Sequence, residues 1–400
     1  MSVRRRPVVV VGAGPVGLTA ALVLARAGVP VTVLEEAEHL STASKASTFH
    51  PSTLDLLDEL GVGRALCAAG RRVDRIQWRD LDQRVVHQLD YALLDGHTAH
   101  PYRIHVEQAG LTPLLLGALE RYPHAEVCFG TRLFDLRDDG LKARLWTQRP
   151  SGASDPLDAD HVVAADGSRS PVRSVLGLPG TAHEYPSYAL RVITDTALDE
   201  LLPGLSPLAY VRDPRQSFSI LGMPDHWRLI FRIPASVPRE QALRPDAVRA
   251  LLARALPSVH RKVRVADAHA YRLASFVLPD YQVGLVSFAG DAAHLTSTAG
   301  GMNMNCGLHD AVAWGRALAR VHRGQAAGTE LAAVAAARRS AALHAVIPRS
   351  EARTAGLGSA AELRRALADI GRMTADPELA ADYLLKASLL DCAPHPQPVG

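Results

Sequence analysis

Val8-Val9-Val10-Val11-Gly12-Ala13-Gly14-Pro15-Val16-Gly17, with Val31-Thr32-Val33-Leu34-Glu35 one helix length later, is the stretch that decides the fold. Four β-branched residues predict a buried strand, and the G-x-G-x-x-G spacing behind them opens a helix expected from Pro15 to Ala27, with Gly28 as its stop. Val29–Glu35 then returns as a second strand, so residues 7–35 read as one βαβ unit. Gly12 permits the tight turn after the strand, Gly14 lets backbone approach a pyrophosphate, and Gly17 allows the helix to lie close on the strand. The helix start at Pro15 and Val16 offers unpaired N–H groups and positive potential. Glu35 ends the second strand, where a carboxylate grips ribose hydroxyls, so the unit reads as a dinucleotide site.

Two more glycine-bearing motifs follow in order. One is Asp166-Gly167-Ser168-Arg169-Ser170-Pro171-Val172-Arg173; the other is Gly290-Asp291-Ala292-Ala293-His294, continued by Gly300-Gly301-Met302-Asn303-Met304-Asn305. No second G-x-G-x-x-G follows a later strand, as a separate nicotinamide domain would require. No cysteine pair stands ready for a redox disulfide either. The expected dinucleotide is therefore a resident FAD rather than an exchanging NAD.

Composition narrows the rest. Lys and Arg number 44 against 41 Asp and Glu, a net charge of +3 spread without a basic stripe, which argues against a nucleic-acid partner. Cys67, Cys128, Cys306 and Cys392 lie far apart, so neither a disulfide framework nor a metal site is expected. Arg4-Arg5-Arg6 before an apolar run imitates a secretory signal, but the β-branched strand and the glycine loop suit the βαβ unit better. No stretch reaches the roughly 20 apolar residues of a membrane span. A soluble, cytoplasmic protein without a membrane partner is expected.

Along the chain, Ser52 is read as the cap of a helix to Leu60, with Asp55 completing a capping box. Gln108–Tyr122 reads as a helix, Glu126–Phe129 as a strand, and Arg132–Leu136 with Ala143–Thr147 as a hairpin. His161–Ala165 runs as a strand into the Asp-Gly turn. From about Gly180 to Tyr281 alternating segments, among them Phe218–Met223 and Trp227–Ile233, predict antiparallel strands broken by a helix near Pro245–Ala255. The remainder is helical after a strand at Gly284–Ala289. The expected fold class is α/β: a Rossmann-like FAD-binding domain (1–75, 102–180 and 284–340), an inserted, mainly antiparallel-sheet substrate domain (76–101 and 181–283), and C-terminal helices (341–392).

With Gly12, Gly14, Gly17 and Glu35, Asp166–Arg173, Gly290–His294 and the Asn305–Ala311 helix, the chain resembles the para-hydroxybenzoate-hydroxylase-like (class A) FAD-dependent aromatic monooxygenases from about residue 7 to 390. Gln108, after the Arg103–Val106 run, matches that family's flavin-contacting glutamine. The resemblance implies that Asp166 lies near the pyrophosphate, that Arg173 ties its motif together and that Asp291 bonds the ribityl chain. Backbone amides around Gly301, Met304 and Asn305 would face the flavin pyrimidine. Fixed N–H donors at a helix start suit the negative charge that reduced flavin gains there. Three positions depart from the family: Lys45 stands for arginine, Ser297-Thr298 for proline, and Asn303 for glycine beside the reactive face of the flavin.

The family mechanism implies that NADH or NADPH reduces FAD, and that dioxygen then forms a flavin 4a-hydroperoxide. This species hydroxylates or epoxidises an aromatic or conjugated small molecule. His50 is the candidate base, and Tyr210, Arg212, Phe218, Met223 and Arg232 are candidate pocket residues on the inserted sheet. The departures at Thr298 and Asn303 leave open a flavin reductase or dehydrogenase without oxygen transfer, and binding motifs alone also fit a redox-inactive FAD scaffold. A halogenase is disfavoured, because Trp227-Arg228-Leu229-Ile230-Phe231-Arg232-Ile233-Pro234 lacks the Trp-x-Trp-x-Ile-Pro pattern.

Overall fold

The computed structural model describes residues 6–43, 46–153, 156–180, 182–353 and 360–394. Val8–Val11 is buried at every residue and pairs in parallel on both sides, Val8 opposite Val31 on one flank and His161 on the other. A strand covered on both faces wants an unbroken β-branched run. The full sheet runs Gln282–Val283, Val286–Phe288, His161–Ala164, Val8–Val11, Val31–Leu34, Ala125–Cys128, parallel except for its first pair. The helices Pro15–Arg26, Gln108–Leu119 and Met302–His322 pack beside it.

This topology explains why motifs far apart in sequence converge. Gly12 follows Val11, Glu35 follows Leu34, Asp166 lies just past Ala164 and Asp291 just past Phe288. Four of the five parallel strands thus deliver these residues to one edge of the sheet, where ligands of open α/β folds bind.

The second sheet has eight strands in the order His294–Leu295, Asp267–Val277, His183–Thr194, Trp227–Pro234, Phe218–Gly222, Leu208–Val211, Arg75–Arg79, Val85–Asp90. It is antiparallel apart from the Leu208–Val211/Arg75–Arg79 pair. One face is apolar, with Leu190, Phe218, Ile220, Leu229 and Phe231 clustered against Val248, Leu251, Leu252 and Ala255. These last four sit at i, i+3, i+4 and i+7 of the Pro245–Ala255 helix, whose first residue is the proline that starts helices well. The opposite face carries Tyr210, Arg228 and Arg232. The C-terminal helices Ala360–Ala375 and Pro377–Ala387 pack on this sheet's Arg75–Asp90 end, the second of them capped by the Asp376 carboxylate.

One local expectation is corrected. His50, not Ser52, occupies the N-cap of the Pro51–Glu59 helix, which has no side-chain cap. Ser52 instead donates to the Ser388 carbonyl at 2.6 Å, while Asp55 accepts from Thr98 and contacts His100. Proline at the first helical position removes one N–H, and tertiary partners took over both polar side chains.

Candidate functional site

Gly12 has φ of 104°, and a Cβ there would lie 2.5 Å from the Ala165 carbonyl oxygen. The chain can neither turn nor approach the neighbouring strand with a side chain in that place. A Cβ on Gly17 would come within 1.9 Å of the Gly12 carbonyl oxygen, so the helix touches the loop it follows. At Gly14 the added Cβ meets nothing within 4 Å, and Gly14 caps the Pro15–Arg26 helix without a side-chain bond. The loop is thus tight against protein at two glycines and open at the third. Glu35 Oε2 accepts from the Ala13 N–H at 2.7 Å, so the acid is held beside the opening.

The other motifs close around this opening. Gly290 packs on Val16, and Gly307 of the long helix packs on both. Asp166 Oδ2 accepts from the Val172 N–H at 2.9 Å, while its Oδ1 is buried without a partner; burial raises its pKa. Arg173 donates to the carbonyls of Ala292 at 2.9 Å, Asp291 at 3.3 Å, and Ser168, tying the second motif to the third. The Met302–His322 helix begins at Gly301, in left-handed conformation at φ of 67° and again without a side-chain cap. Two uncapped helix starts and one orphaned buried carboxylate oxygen on the same sheet edge form a cradle for a dinucleotide.

Each remaining candidate has a definite place. Gln108 opens its helix, its N–H donating to the Ala46 carbonyl. Met304 and Asn305 lie in the uncapped first turn, and the buried Asn305 amide donates to the Thr48 and Gly301 carbonyls while accepting from the His50 N–H. Lys45 lies outside the described residues. Asn303 is helical, not positive in φ; the positive values are at Gly300 and Gly301. Its amide donates to Asp291 Oδ1 at 2.7 Å and accepts from His294 Nδ1 at 3.1 Å. Ser297 accepts from Arg232 at 3.1 Å and from Ser350 at 3.1 Å.

Phe218 is corrected as a pocket residue. It stacks on Phe231 at 5.2 Å within the apolar layer under the Pro245–Ala255 helix. It pairs with Val211, so strand alternation puts it on the face opposite Tyr210. Met223 is fully buried where the Phe218–Gly222 strand turns, its N–H on the His226 carbonyl.

Tyr210 and Arg212 belong to a cluster that sequence reading missed in part. Arg353 donates to the Tyr210 hydroxyl at 3.4 Å and lies over the Tyr383 ring at 5.6 Å. Arg212 lies over Tyr210 at 4.9 Å, and Arg103 over Tyr91 at 5.5 Å. Arg103 also donates to the carbonyls of Gly300 and Ala387, and a Cβ on Gly300 would meet Arg353 Nε at 2.7 Å. The cluster therefore abuts the glycine loop at the start of the Met302–His322 helix. Burial opposes ionisation of Tyr210, but Arg353, Arg103 and Arg212 outweigh it and hold the phenol below its ordinary range. Burial pushes Arg212 down to about 10 and, despite Arg103, raises Tyr91, whose hydroxyl is buried without a partner. Partners of Arg103, Arg212 and Arg353 among the described residues are carbonyls, rings and a phenol, so this is a cationic enclosure suited to an anion.

His50 is wholly buried beside the cluster, with Nε2 2.9 Å from the Gly300 carbonyl and no partner at Nδ1. A carbonyl only accepts, so Nε2 carries the proton. Burial, then Arg103 and Arg353, hold its pKa well below the usual histidine range.

Behind the loop, His294, Cys306 and Asp310 place their polar atoms within 4.8 Å of one another. Arg338 Nε donates to Asp310 at 2.8 Å, and His294 Nε2 lies 2.8 Å from the same carboxylate. Two cations already serve that one carboxylate, which disfavours a metal. Among the described residues no helix is long and apolar enough to cross a membrane.

Comparison with known proteins agrees with this geometry. Residues 5–349 match the family model described as FAD binding domain. Para-nitrophenol 4-monooxygenase of Pseudomonas sp. (strain WBC-3) is 29% identical over 308 residues, 76% of this chain and 75% of that one. A 3-(3-hydroxy-phenyl)propionate/3-hydroxycinnamic acid hydroxylase of Burkholderia vietnamiensis is 30% identical over 326 residues, covering 78% of this chain but only 56% of the hydroxylase. The crystal structure of p-nitrophenol 4-monooxygenase PnpA from Pseudomonas putida DLL-E4 superposes with a TM-score of 0.89 at 25% identity, covering 97% of this chain and 98% of that one.

Proposed function

Since the chain belongs to the FAD-dependent aromatic monooxygenases, we propose that it hydroxylates a small acidic phenol, bound as its phenolate, at the expense of NADH or NADPH and dioxygen. The observation that carries this reading is the enclosure of Arg103, Arg212 and Arg353 with Tyr91, Tyr210 and Tyr383 against Gly300. The relatives named for nitrophenol and hydroxycinnamic acid act on acidic aromatic molecules by those names, in keeping with a cationic pocket.

FAD would be held by the Gly12–Gly17 loop, Glu35, Gln108, Asp166, Gly290, Asp291 and the helix start at Gly301–Asn305, with Lys45 as a further candidate. When bound and reduced, FAD supplies activation of dioxygen at its carbon 4a and delivery of one oxygen atom to the ring. The chain's own residues do the rest. The three guanidiniums bind and orient the anionic substrate, and the buried aromatic rings exclude water, which strengthens those contacts. Tyr210 Oη, which accepts from Arg353, would donate a hydrogen bond to the substrate oxygen and help orient it. A neutral His50 with so low a pKa is a poor base. We assign it instead to holding the Gly300 carbonyl, and with it the loop, in position. Arg232 supports the same loop through Ser297.

Titrating the yellow holoprotein with a chromophoric acidic phenol tests this directly. Binding as phenolate should shift the ligand's spectrum to that of its anion at a pH where the free ligand is protonated. Dioxygen consumption with NADH or NADPH should then depend on the ligand. Bleaching without any dioxygen uptake would favour a reductase, and no bleaching with any phenol would favour a redox-inactive scaffold.

A further inference from the structure

Asn303 lies in the first turn of the Met302–His322 helix, just past the glycine pair, and its hydrogen bonds form a chain with a single consistent set of protons. Asp291 Oδ1 can only accept, so the side-chain nitrogen of Asn303 faces it, at 2.7 Å. The side-chain oxygen must then face His294 Nδ1, at 3.1 Å, which makes that ring nitrogen a donor. At the other side of the ring, Nε2 lies 2.8 Å from Asp310 Oδ2. That carboxylate also accepts from the Gly290 N–H at 3.1 Å and from Arg338 at 2.8 Å. Both nitrogens of His294 therefore donate, and the ring is an imidazolium, 1% exposed in the interior. Burial opposes this charge, but Cys306 and Asp310 outweigh it and hold the His294 pKa well above the usual value; Asp310 is held low in turn.

We infer that Asn303 is a positioning residue for the cofactor: oriented by the charged His294 ring, its amide N–H holds the Asp291 carboxylate toward the sugar hydroxyls of FAD. The inference rests on the FAD-binding reading above. A glycine at 303 would leave His294 Nδ1 without this acceptor and Asp291 without this donor. Asn303 and the buried His294–Asp310–Arg338 array thus form one unit, in which a charge fixed in the interior sets the direction of an amide at the surface of the cleft.

The test is FAD affinity, read from quenching of FAD fluorescence as apoprotein is added. Asn303→Asp keeps an acceptor for His294 but turns the donor toward Asp291 into a second carboxylate. Its apoprotein should melt at or above the wild-type temperature, while its Kd for FAD rises at least tenfold. Asn303→Ser, too short to reach Asp291 and free of new charge, should weaken binding in the same direction. In an Asp291→Ala background neither substitution should change the Kd by more than twofold, because the group through which Asn303 acts is gone. Wild-type Kd in both single variants would overturn the inference, as would equal losses with and without Asp291. A wild-type protein that takes up no FAD would sink the functional reading, and this inference with it.

Discussion

His294 Nδ1 lies 3.1 Å from Asn303 Oδ1, and this contact joins the buried Asp310–Arg338 pair to the rim of the cofactor cleft. A buried imidazolium has a stability signature. Its folded pKa is raised, so its contribution is complete below the unfolded value of about 6.5 and is lost as pH rises through the folded value. Replacing His294 with Asn should cost about 3–5 kcal/mol at pH 6, since it leaves Asp310 and Arg338 incompletely paired. That cost should shrink at strongly alkaline pH. Urea unfolding of both proteins across that range checks it; a cost independent of pH would contradict a charged ring.

Acid should act through other histidines. His50 is held well below the usual range, and His105 and His309 are pushed down to about 3, each mainly by burial. For lowered pKa values the stability is complete above the unfolded value near 6.5 and falls as pH drops below it. Each group then loses about 1.4 kcal/mol per pH unit. Unfolding free energy of the apoprotein should therefore fall by about 4 kcal/mol per unit just below pH 6, in a buffered urea series.

The three glycines of the first loop should separate folding from cofactor binding. Gly17→Ala places an atom 1.9 Å from the Gly12 carbonyl oxygen and should lower the melting temperature of the apoprotein. Gly14→Val meets nothing within 4 Å at its Cβ, so the apoprotein should melt within a few degrees of wild type yet purify without yellow colour. Paired melting curves and visible spectra decide this.

Arg353 gives the sharpest test of the anionic pocket. Arg353→Met should weaken binding of an acidic phenol by about 1.5–3 kcal/mol, the worth of a hydrogen bond to a charged group, while its methyl ether binds nearly as before. Arg353→Lys should recover only part, because an ammonium lacks the planar fork. Equal losses for phenol and ether would point to a packing role instead.

Most of the cofactor cradle was legible because its constraints are local. Gly12, Gly17 and Gly290 are read from motifs, and the steric reasons for them are close approaches, to backbone at Gly12 and Gly17 and to the Val16 side chain at Gly290. The second sheet was legible as alternation, but alternation does not say which face looks inward, and Phe218 was placed on the wrong one for that reason. Tyr91, Arg103, Arg353 and Tyr383 carry no spacing signal. They come from a short 3₁₀ turn, a strand, the end of the Ile347–Ala352 helix and the Pro377–Ala387 helix, and only the tertiary fold gathers them. Asn303 was legible as a departure, but its meaning depended on a histidine and an aspartate whose partners sequence does not show.

Oxygen transfer is the central claim, and isotopically labelled dioxygen tests it most directly. Holoprotein turning over an acidic phenol with NADH or NADPH under labelled dioxygen should give a hydroxylated product carrying one labelled oxygen atom, with the second atom in water. A product bearing only oxygen from unlabelled water, or nicotinamide oxidation that yields peroxide and unchanged phenol for every acidic phenol tried, would contradict it.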